Sequence, residues 1–147
     1  MVIPKHKRPS ILADIPKTKK IPVASREDFG RLNPAWRVNL LEMCDPFGWH
    51  RVDGQTLQYI RGKLSLYESM TMNEIFVRDK KYNHAVSVNK LCPEARRRLR
   101  DLRLDDLEEV HRLRLSGAER VWGIRDLNAL ILLWWDPKHE ICPSDEN

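Results

Sequence analysis

The sequence predicts an α+β domain in which helices pack on one face of an antiparallel sheet of about four strands, in β-α-α-β-β-β order. Three observations predict it. The last third reads as three consecutive strands joined by tight turns, over Val110 to Leu115, Glu119 to Arg125 and Ala129 to Trp135. A helical stripe of Leu57, Ile60, Leu64 and Tyr67 precedes them. A second helix opens at Pro93, a residue that suits a first helical turn.

Trp36 to Met43 alternates Trp36, Val38 and Leu40 with Arg37 and Asn39, which predicts a first strand. Asp45-Pro46-Phe47-Gly48 breaks the chain. Asp53 is placed to cap a helix from about Gly54 to Glu68, and Thr71 with Glu74 forms a capping-box pattern for a short helix after it. Ala85 to Val88 is extended but too short to assign. The helix from Pro93 to Arg103 buries Ala95, Leu99 and Leu102, and places Arg96, Arg100 and Arg103 together on another side. The third meander strand is apolar on both faces, so it belongs in the middle of the sheet, covered on both sides.

The domain spans residues 31–142. Before it, residues 1–30 carry Lys5, Lys7, Arg8, Lys17, Lys19, Lys20 and Arg26 among Pro4, Pro9, Pro16 and Pro22. That composition predicts a flexible basic arm, either a solvated tail or a segment that binds an anion. Residues 143–147 read as a polar tail.

The net charge of +5 and pI near 9.3 make nucleic acid or the ribosome a reasonable partner. Cys44, Cys92 and Cys142 are far apart in the chain, odd in number and include no CxxC pair, which argues against a disulfide framework and a four-ligand zinc site. No metal or other cofactor is expected. The longest apolar run is Ala129 to Trp135, too short to span a bilayer, so the expected location is the cytoplasm with no membrane partner.

Alternation puts Arg112 and Arg114 on one face of the first meander strand, and Arg120 with Trp122 on one face of the second. Guanidiniums converging there would hold phosphates, with Trp122, Trp134 or Trp135 stacking bases. His139, between Lys138 and Glu140 just past the third strand, titrates in the range that general acid-base catalysis needs. RNA self-cleavage asks for a base, an acid and cations for the crowded phosphorane; one histidine among arginines and lysines supplies these without metal.

His111-Arg112-Leu113-Arg114-Leu115, Glu119-Arg120-Val121-Trp122-Gly123-Ile124 and Leu130 to Trp135 running into Lys138-His139-Glu140 resemble the closing strands of the RelE/ParE superfamily of bacterial toxins. Gly48-Trp49-His50, Glu68-Ser69-Met70-Thr71, the same Glu119 to Ile124 segment and Leu132-Leu133-Trp134-Trp135-Asp136-Pro137 look similar to segments of small proteins of actinobacteria and their phages. The resemblance implies a RelE-like fold and a toxin-like growth inhibitor that cleaves mRNA at the ribosome and is held inactive by a small antitoxin. Carried over by position, Arg120 would contact the scissile phosphate and His139 would transfer the proton, with Lys138 assisting. Arg112 and Arg114 would hold the RNA backbone, and Arg96, Arg100 and Arg103 extend the RNA-binding set. No tyrosine follows Tyr82, whereas many nucleases of the group end in a catalytic tyrosine. The alternative is a non-catalytic RelE-fold module that binds nucleic acid or a host protein, as a phage accessory factor would.

Overall fold

The computed structural model describes residues 29–143. The basic arm, apart from Phe29 and Gly30, and the last four residues of the tail lie outside the described residues. The element order is β1 (Ala35–Arg37), α1 (Gly54–Glu68), β2 (His84–Ser87), α2 (Pro93–Asp101), β3 (Glu109–Ser116), β4 (Glu119–Asp126) and β5 (Ala129–Asp136). The α+β class is as the sequence predicts. The sheet differs, however: it has five strands in the order β1-β5-β4-β3-β2, and β1 runs parallel to β5.

The helices also differ from expectation, because they cover both faces. Ala95 and Leu99 of α2 pack with Val110, Trp122, Ile124, Ile131 and Leu133. Ile60 and Leu64 of α1 pack with Leu113, Leu115, Val121, Leu130 and Leu132 on the other side. An apolar stripe dictates that a helix buries one side; it carries no information about which sheet face receives it. The doubly apolar β5 requires cover on both, and each helix supplies one.

Local signals place the helices well. The Asp53 carboxylate accepts from Thr56 N at 2.7 Å and starts α1 where its stripe begins. Thr71 and Glu74 form the reciprocal capping box, with N···O distances of 2.9 and 3.2 Å, but the turn that follows is a π-helical turn over Glu74–Arg78. The second helix ends at Asp101 rather than Arg103, which has φ 58° beyond its end. The first strand is likewise shorter than predicted. After Arg37 the chain follows β5 through isolated bonds, Glu42 N to Leu133 O at 2.9 Å and Trp135 N to Phe47 O at 3.0 Å.

A bulge interrupts the β4–β5 ladder: Trp122 pairs with Trp134, while the next residue, Gly123, pairs with Leu132. Leu133 is the extra residue, so Leu133 and Trp134 both face the α2 side.

Candidate nucleic-acid interface

The two ladders align one row of side chains across three strands. Arg114 pairs with Arg120, and Arg120 with Asp136; one row inward, Arg112 pairs with Trp122 and Trp122 with Trp134. Strand alternation puts these residues on the α2 face, at the end where β3 turns into β4. The sequence therefore brings Arg112, Arg114 and Arg120 together as expected.

Their environments are unlike one another. Arg112 is 1% exposed; its Nε donates to Tyr82 O at 3.3 Å and one terminal amino group reaches His139 Nε2 at 3.4 Å. A guanidinium can only donate, so a hydrogen bond there has His139 Nε2 as its acceptor. Arg120 is also buried and donates to the carbonyls of Gly117 at 2.6 Å and Glu119 at 3.1 Å. Arg114 is half-buried; its Nε donates to Gly117 O at 3.3 Å, and its guanidinium carbon lies 4.9 Å from the centre of the Tyr82 ring. Asp136, 1% exposed, accepts from Trp122 Nε1 at 3.3 Å, Glu140 N at 2.9 Å and Ile141 N at 3.0 Å. These bonds hold the turn that carries His139, whose backbone takes the left-handed φ of 57°.

Beside Arg114 an open cleft of about 220 Å³ is lined by Tyr67, Asp79, Tyr82, Asn83, Arg114, Leu115 and Ser116. It lies where β3 runs beyond β2, which pairs only as far as Arg112. Side chains close that strand edge. Asn83 Oδ1 accepts from Arg114 N at 2.9 Å, and the Tyr67 hydroxyl donates to Arg114 O. Burial raises the Tyr67 pKa above that of an ordinary phenol; the Asn83 bond and the Arg114 and Arg120 charges act against that rise. Asp79, in the wall, makes two bonds to Arg78, at 3.1 and 3.0 Å.

The remaining predicted site residues are not gathered here. Arg96 and Arg100 lie on α2 and Arg103 beyond it, and their guanidiniums make no hydrogen bond or ion pair among the described residues. Lys138 is exposed. The tryptophans cannot stack bases as expected: Trp122 and Trp134 are 0% exposed and Trp135 8%, all in the two cores. Tyr67, Tyr82 and Asn83 were not among the expected site residues, since they reach Arg114 only through the fold. The one local signal was Tyr82, an aromatic directly preceded by Lys80 and Lys81. No group of histidine, cysteine or carboxylate side chains suited to a metal occurs among the described residues. None of the described helices is long and apolar enough to cross a membrane.

Compared with family models, curated proteins and solved structures, the chain matches none.

Proposed function

We propose that this chain is a toxin-like protein of RelE type that binds single-stranded RNA through the Arg112–Arg114–Arg120 end of its sheet. The observation that carries the reading is the direct cross-strand opposition of Arg114 and Arg120. Like charges placed opposite one another on a sheet destabilise it unless an anion lies between or beside them. Asp136 continues the row beyond Arg120, but Arg114 opens on the cleft with no carboxylate bonded to it among the described residues. A phosphodiester is the anion that a basic chain with this arrangement suits.

Binding is better supported than cutting. The Nε2 lone pair that would take a 2′-hydroxyl proton already accepts from Arg112. Cleavage with His139 as the proton-transfer group and Arg120 and Lys138 as charge stabilisers is the second reading. It rests on the same Arg112–His139 contact, which RNA would have to displace. Growth inhibition at the ribosome, with an antitoxin or host protein as partner, belongs to both readings.

The test is expression in a bacterium of the chain and of its Arg114→Ala and His139→Ala variants, following growth and mRNA integrity. Anisotropy titration of labelled single-stranded RNA accompanies it. Binding without cutting gives inhibition and RNA affinity that survive His139→Ala, with intact mRNA, and that fall in Arg114→Ala. Fragmented mRNA that disappears with His139→Ala establishes the nuclease instead. Absence of RNA affinity at low salt overturns both.

A further inference from the structure

We propose that the cleft at the tip of β3 is a phosphate subsite, with Arg114 as its binding residue and Tyr82 as the positioning residue that holds the guanidinium open. The inference deepens the RNA-binding reading and takes its natural ligand from it.

Arg114 has five N–H donors and spends only Nε on the protein, at Gly117 O. Among the described residues its two terminal amino groups have no protein acceptor, and they lie beside a cleft of about 220 Å³. The other polar groups of that wall are committed elsewhere. Ser116 Oγ bonds to Glu119 Oε1 at 3.1 Å, and Tyr59 OH meets it at 2.9 Å. The Tyr67 hydroxyl is spent on the β3 backbone. Asp79, the one carboxylate of the wall among the described residues, turns both oxygens to Arg78, which also pairs with Glu74 at 3.0 Å, and makes no bond to Arg114.

The Tyr82 ring is 40% exposed and lies under the Arg114 guanidinium, which fixes the plane of the fork. The Tyr82 carbonyl is itself tied to Arg112, so the ring sits on an anchored stretch of chain. The volume is below the roughly 300–1,000 Å³ of sites that bury a whole small molecule. It suits one tetrahedral group of a longer ligand. That group is a phosphate oxyanion, from either an internal phosphodiester or a terminal phosphomonoester.

The test uses the full chain and two short oligoribonucleotides, one with a 5′-hydroxyl and one with a 5′-phosphate. Thermal melts confirm that each variant is folded. Arg114→Ala is expected to weaken binding about tenfold and to lower the salt slope of log affinity by about 0.7. Arg114→Lys keeps the charge but not the fork and falls between. Tyr82→Phe binds as the original chain does, whereas Tyr82→Leu loses about threefold. Equal losses on the two RNAs assign an internal phosphodiester, and a larger loss on the 5′-phosphorylated RNA assigns the chain end. Unchanged affinity in Arg114→Ala, or equal affinity in Tyr82→Leu and Tyr82→Phe, overturns the subsite. Inorganic phosphate is titrated separately while the Arg114 Nε–H resonance is followed by NMR. A shift in that resonance supports the subsite even where neither RNA binds, an outcome that would sink the RNA reading alone. A resonance that phosphate leaves unmoved overturns the subsite itself.

Discussion

His111 makes the stability of this domain depend on pH over a defined window. Its side chain points to the α1 side of β3, edge-on to Phe76 with ring centroids 5.2 Å apart, and its Nδ1 is buried with no hydrogen-bond partner among the described residues. Arg125 stacks on the same Phe76 ring at 5.1 Å. Burial, then the nearby charges of Arg125 and His84, lower the His111 pKa from 6.5 to about 4. Above pH 6.5 the imidazole is neutral folded or unfolded, and its contribution is fully present. Between 6.5 and about 4 the unfolded chain takes a proton that the folded chain refuses, so stability is lost as pH falls. At about 1.4 kcal/mol per pH unit the loss reaches roughly 3 kcal/mol by pH 4. Urea unfolding at steps from pH 7.5 to 4, of the original chain and His111→Gln, isolates it from the carboxylates that titrate nearby. The stability difference between the two proteins should move by that amount, in favour of the variant at low pH. Parallel profiles across the window would refute the buried, neutral imidazole.

Other outcomes follow from groups buried with their partners. Asp136→Ala leaves the Trp122 indole and the amides of Glu140 and Ile141 without their acceptor, and should cost about 3 kcal/mol by denaturant titration. Arg98→Ala strands the carboxylate of Glu42, 4% exposed, and should cost about 3 kcal/mol; adding Glu42→Leu should recover part of it in the same melts. Gly123→Ala would put a Cβ 2.6 Å from Ile131 O, forcing β4 from β5, and should lower the melting temperature by an amount equivalent to about 2 kcal/mol.

What could be read from the chain alone was what local chemistry decides. Helix α1 runs over the residues expected because a capping aspartate and an apolar stripe coincide there. The meander is legible because its turns and alternation agree. What could not be read depends on residues distant in sequence. Strand β1 is three residues whose partner lies about a hundred positions on, and parallel pairing leaves no hairpin turn to announce it. Arg112 looked like a surface cation, yet the Tyr82 carbonyl and His139 let it sit inside. The tryptophans looked available for stacking, but two covered sheet faces need large side chains to fill them. The arginine end of the sheet was anticipated; the tyrosines and asparagine around Arg114 were not.

The bulge at Leu133 decides what the arginine row contains. Strict alternation from Leu130 would have sent position 136 to the α1 side, with Leu130 and Leu132. The offset turns Asp136 over to the side of Trp122, and the loop bearing His139 comes with it. Closing that bulge with Leu133 still in the ladder would keep every strand yet carry the imidazole away from the guanidinium, so the chemistry of this edge is written in strand register as much as in side chains.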